Sequence, residues 1–112
     1  CLGPNHPTIA AALNNLASLL KDTNRLAEAE PLLRRALQID EASFGPDHPE
    51  VATDLNNFAM LLLDTNRLGD AEPLLRRALE ICEARLGPDH PNTITFRNNL
   101  NILLAKLAGS AP

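Results

Sequence analysis

The 112-residue sequence contains no tryptophan, no tyrosine and only three phenylalanines, and acidic residues outnumber basic ones by 14 to 10, for a net charge of −4. Nucleic-acid binding draws on basic surfaces and on aromatic rings for base stacking, and this chain supplies neither. Apolar residues never run for the roughly 18 positions that a membrane span takes, and no basic-then-apolar leader is seen, so neither a membrane span nor secretion is expected. The two cysteines, Cys1 and Cys82, are too few for a disulfide framework and match no zinc motif, which points to a reducing, cytoplasmic setting. The five glycines are scattered along the chain, so no glycine-rich phosphate loop is present. No segment shows the apolar-polar alternation of a half-buried strand.

What the chain does have is 45% apolar and 21% charged residues, the composition of a folded chain, at a length that supports one modest core. It also repeats. Gly3-Pro4-Asn5-His6-Pro7 returns as Gly45-Pro46-Asp47-His48-Pro49 and as Gly87-Pro88-Asp89-His90-Pro91, each 42 residues after the last, and Ala29 to Leu37 is identical to Ala71 to Leu79. The expected organisation is a single domain fragment with repeat one at 3–44, repeat two at 45–86, a partial repeat and capping helix at 87–108, and a tail at 109–112. Cys1 and Leu2 take the places of Ser43 and Phe44, as if a preceding helix ended there, and the chain is expected to be part of something longer.

Within each unit the period is helical. Ile9, Leu13, Leu16, Ala17 and Leu20 fall on one face of a helix A spanning about 7–23, and Leu26, Ala29, Leu33, Ala36 and Leu37 on one face of a helix B. Asn24 suits the left-handed turn between them, Gly45 suits the end of helix B, and Asp47 three residues before Glu50 predicts a capping box. Pro31 and Pro73 lie about one turn inside helix B, where only a slight bend is expected. Short connections make the helices antiparallel neighbours, and such pairs bury their apolar faces only by stacking. The expected fold is therefore an all-α solenoid of about five helices.

The segments Leu13-Asn14-Asn15-Leu16-Ala17 and Leu55-Asn56-Asn57-Phe58-Ala59, the Asn-Arg-Leu turns, the Ala-Glu-Pro-Leu-Leu-Arg-Arg-Ala-Leu runs and the Gly-Pro-Asp-His-Pro linkers together resemble the 42-residue tetratricopeptide repeat of the kinesin light chain type. The resemblance implies close helix contacts at Ala17, Ala29, Ala36, Ala59, Ala71 and Ala78. The third unit departs from it. Arg97 and Asn101 stand where the earlier units have leucine and alanine, and 105–108 run through the expected turn, as in a terminal cap. Ile94, Leu100, Leu103, Leu104 and Leu107 are expected to be only half covered on that helix.

The motifs that could carry chemistry have plainer explanations. His6, His48 and His90 are one repeat apart, too far to converge on one metal ion, and suit a loop or capping role. Ser18, Ser43 and Ser110 lack an adjacent histidine or a nucleophile elbow. Cys82 aligns with Asp40 and is expected to be partly exposed. Glu30 with Arg34, and Glu72 with Arg76, form i, i+4 pairs on a solvated face. Asp22 and Asp64 oppose the dipole at the ends of their helices, so each is expected to face a partner or the next repeat. No enzyme activity, metal or cofactor is expected.

The face of helix A opposite the core stripe carries Ala11, Asn15, Ser18 and Asp22, then Thr53, Asn57, Met60 and Asp64, then Thr95, Asn99, Ile102 and Lys106. The resemblance implies that this band lines a concave groove and that Asn15, Asn57 and Asn99 hydrogen-bond the backbone of an extended peptide. A carboxamide both donates and accepts, and a repeat step of about 10 Å matches about three residues of extended chain. The expected peptide-binding residues are Asn15, Asn57, Asn99, Ser18, Met60, Thr53, Thr95, Ile102 and Lys106, with Lys21 and Arg97 as cations beside the band. Ala11, Thr53 and Thr95 stand where kinesin light chains that select acidic cargo carry basic residues. The same asparagines could equally bond neighbouring helices and hold the stack together. Two functions stay open: a module binding a protein or peptide partner, or a structural fragment that self-associates through its solenoid ends or by exchange of the last helix.

Overall fold

The computed structural model describes residues 7–109; His6, the first Gly-Pro-Asn-His-Pro motif up to it, Cys1, Leu2 and the tail from Ser110 lie outside the described residues. Helices α1 (Pro7–Asp22), α2 (Leu26–Phe44), α3 (Pro49–Asp64), α4 (Leu68–Leu86) and α5 (Pro91–Gly109) follow one another, each packed on its neighbours in sequence, with α1 also touching α3. The stack measures 54 × 34 × 19 Å.

The turns form where the local chemistry places them. Asn24 and Asn66 adopt φ of 62° and 60°, the left-handed conformation that asparagine tolerates better than most residues. Gly45 ends α2 at φ 90° and ψ 161°, a region open essentially to glycine alone, and Gly87 repeats it after α4. Pro31 and Pro73 are accommodated inside continuous helices. The start of α3 corrects an expectation: the cap is His48, not Asp47. Its Nδ1 accepts from the Glu50 N–H at 3.0 Å, and His90 does the same for Asn92 at the start of α5. An imidazole nitrogen can serve as the N-cap acceptor because it reaches the same orphan donors as a carboxylate.

All six alanines expected at close helix contacts are fully buried. The largest core cluster joins Ala17, Leu33, Ala59, Leu61, Leu62, Leu75, Leu100 and Leu103, running from α1 through to α5. Three expectations about burial are overturned. Leu16 is 47% exposed although it lies on the expected core stripe, because among the described residues no helix covers that side of α1. Cys82 is buried, as is its counterpart Asp40: the position faces the next helix A, whatever the polarity of its occupant. Leu100 and Leu103 are fully packed on α5 rather than half covered, since α3 and α4 already enclose them; Leu104 and Leu107 are half-buried and Ile94 is exposed.

Polar links run along the outer faces. Arg34 with Glu30 and Arg76 with Glu72 pair at 2.7 and 2.8 Å as expected, and Arg67 ties Glu30 to the next unit at 2.7 Å. Arg77 pairs with Glu41 and donates to the Pro46 carbonyl, fastening the linker before α3. Arg97 turns the same way, toward Glu83 and the Pro88 carbonyl. It therefore supports a linker and supplies no cation to the helix A band.

Candidate functional site

The band expected from the sequence is brought together chiefly between α1 and α3. Two hollows lie there. One, of about 230 Å³, is lined by Ala11, Asn14, Asn15 and the end of α2 on one side, and by Glu50, Thr53, Asp54 and Asn57 on the other. The second, of about 70 Å³, is lined by Ala17, Ser18, Lys21, Leu33, Asn57 and Met60. Asn57 lines both, so Asn15, Ser18, Thr53, Asn57 and Met60 share one continuous surface. Thr95, Ile102 and Lys106 are exposed along α5 and line neither hollow.

The three asparagines are not equivalent. Asn99 donates to Asn56 Oδ1 at 2.9 Å, so it helps fasten α5 to α3. The side chains of Asn15 and Asn57 make no hydrogen bond among the described residues, and Asn15 is exposed. Lys21 reaches Asp64 at 3.4 Å, which answers the unfavourable dipole at the end of α3 and neutralises that cation. Such an exposed pair contributes little to stability.

Beneath the band sits a feature that the sequence reading missed. Asp40 and Asp54 are both buried, and Asn14 donates from α1 to Asp54 Oδ1 at 2.8 Å. Asp54 Oδ2 and Asn14 Oδ1 are buried, and apart from a proton shared between Asp54 and Asp40 nothing donates to either. Burial raises the pKa of Asp54 to about 8, helped by the adjacent Asp40 and the more distant Glu50 and opposed by the Asn14 hydrogen bond. Two acids can bond to each other only through a proton held between them, and raising the affinity for that proton is the alternative to burying two like charges. A signal for this cluster existed in the repeat alignment. Asp54 falls where the other units have Ala12 and Phe96, and Asp40 where the next has Cys82, so one junction is acidic at two facing positions and its successor apolar at both.

Other polar groups serve structure. His48 and His90 are occupied as caps. Burial raises the pKa of the Cys82 thiol, which lowers its thiolate content. A further hollow of about 320 Å³, beside Asp47, Arg77, Glu80 and Arg85, lies away from the band, and its Arg77 is already engaged by Glu41 and Pro46. Among the described residues no group of three or more His, Cys, Asp and Glu side chains is set to hold a metal ion, and no helix is long and apolar enough to cross a membrane.

Comparison with known proteins agrees with this architecture. The tetratricopeptide repeat family matches residues 8–84 and 55–109. The chain belongs to the tetratricopeptide repeat family. Among solved structures it is similar to BtubC (BKLC) from P. vanneervenii, with a TM-score of 0.81 and 25% identity over 90% of this chain and 40% of that one. It is also similar to the nearly identical TPR-like repeats of a putative kinesin light chain from Podosopora anserina, with a TM-score of 0.83 and 22% identity over 91% and 48%. The chain thus spans less than half the length of these two solved chains. No curated protein matches it in sequence. The repeats are of the kinesin light chain type, and tetratricopeptide repeats in general are protein-interaction scaffolds rather than catalysts.

Proposed function

We propose that this chain is a non-catalytic interaction module, acting in a cytoplasmic setting, that takes up an extended peptide segment along the helix A band. The observation that carries this is the pair of carboxamides on Asn15 and Asn57, which have no intramolecular hydrogen bond among the described residues and both border the larger hollow, Asn57 also lining the smaller one. Each can offer a donor and an acceptor to a peptide group. Ser18 and Thr53 add hydroxyls, Met60 and Ile102 add apolar surface, and Asn99 keeps its carboxamide oxygen. Thr95 and Lys106 extend the band along α5.

Selection of a random peptide library on the immobilised chain tests the proposal. Binders are expected, and Asn57→Ala should weaken them by about 1 kcal/mol, the scale of one lost hydrogen bond, with helix content unchanged. Absence of binders, or an equal loss of stability and binding, would point to asparagines that only hold the stack.

A second function rests on a separate observation. Leu16 and Leu19 are 47% and 62% exposed and adjacent on α1, an apolar surface of the kind that recruits a partner. In this alternative the chain self-associates through the end of its stack. Sedimentation velocity over a hundredfold concentration range separates the two, since a constant monomer mass excludes association.

A further inference from the structure

The acidic hollow between α1 and α3 is built for a ligand of one charge sign. Its lining includes three acidic side chains, Asp40, Glu50 and Asp54, and no basic side chain. Asp54, at 2% exposure, brings to it an oxygen met by no donor other than the proton shared with Asp40, and the buried Asn14 oxygen beside it is met by none. Buried acceptors without donors are rare and costly in folded proteins. At the equivalent junction one repeat on, Cys82 and Phe96 pack in the apolar cluster, so the fold does not require acids here. We infer that this hollow is a recognition pocket for a lysine or arginine side chain of the peptide partner. The inference rests on the peptide-binding function proposed above.

Size and chemistry favour a basic side chain over other cations. A volume of about 230 Å³ is below the range usual for small-molecule sites and suits the end of a long side chain. A guanidinium or ammonium group carries only donors, five or three of them, which match the acceptors of Asp40, Asp54 and Asn14 once the shared proton leaves. Phe44 stands at the wall of the hollow, where its ring can cover the alkyl stem. A metal ion is disfavoured by the absence of a converging ligand set among the described residues. The groups facing Asp54 are Asp40 from α2, Glu50 from its own helix and the neutral Asn14 amide from α1. A bound cation would take the place of the proton between the two acids, so that proton should be released on binding.

Titration of the isotope-labelled chain with acetyl-arginine N-methylamide, followed by amide NMR shifts, tests the pocket directly. The norleucine analogue serves as neutral control and calcium chloride as the competing cation. Saturable shifts are expected at Asn15, Thr53 and Asn57 with the arginine compound alone. Asp54→Asn should weaken them about tenfold, as for a lost charge-assisted hydrogen bond, and the exposed Glu50→Gln serves the same purpose with a smaller effect if Asp54→Asn impairs folding. Shifts by the norleucine compound of equal size, shifts by calcium with none by arginine, or no local shifts at all would overturn the inference. The library selection separates it from the groove itself. Binders without a fixed basic position overturn the pocket and leave the groove standing, whereas arginine binding in the hollow without any peptide binders leaves the pocket and removes the groove.

Discussion

The two junctions at which one helix pair meets the next have the same backbone plan and opposite chemistry. At the first, Asp40 on α2 and Asp54 on α3 face each other under Asn14; at the second, Cys82 on α4 and Phe96 on α5 occupy the corresponding places and join the apolar core. The solenoid tolerates either occupant because the surrounding alanine and leucine contacts define the stack. What differs is what the junction offers to a ligand: an open acidic hollow in one case, a filled core in the other. A second contrast separates α1 from α3. Leu19 is 62% exposed and its counterpart Leu61 wholly buried, because the α1–α2 pair packs before α3 and no such pair precedes α1 among the described residues.

Three experiments test these contrasts. The largest effect is expected from Phe96→Asp, which places an acid opposite Cys82 in the second junction, where Asn56, the counterpart of Asn14, is already bonded to Asn99. Loss of a buried ring and introduction of a buried carboxyl among apolar neighbours should cost about 4 kcal/mol in urea denaturation. A cost below about 1 kcal/mol would mean that the second junction also holds a polar site. Next, Leu61→Ala should cost about 3 kcal/mol, whereas Leu19→Ala should stay within about 0.5 kcal/mol. Equal losses would mean that Leu19 is covered in solution, as self-association would have it.

The third contrast is in pH. The folded pKa of Asp54 is raised to about 8 from an ordinary 3.8, so the folded state holds its proton more tightly than the unfolded state. The stability this provides is full below about pH 4, declines as pH rises toward 8, and is absent above it. Between pH 6 and 8 the wild-type chain should lose about 2 kcal/mol relative to Asp54→Asn, by thermal or urea unfolding. Parallel pH profiles for the two proteins would show that no proton is shared at the first junction.

Periodicity alone determined the larger part of this molecule. The 42-residue repeat, the helical spacing of leucine and alanine, and the asparagine and glycine turns specify helix pairs that must stack, since each is set by local backbone preference or by a face that cannot remain bare. The helix A band was legible for the same reason, as a regular helix fixes which residues share a face. The cap at His48 was not, because a histidine and an aspartate beside the same helix start compete for one N–H and only the placed atoms decide. Nor were the burial of Asp40, Asp54 and Cys82, the exposure of Leu16, or the different bonding of Asn99 from Asn15 and Asn57. Those properties depend on which neighbour a side chain meets across a junction, and spacing along one helix carries no information about the polarity or presence of the helix opposite.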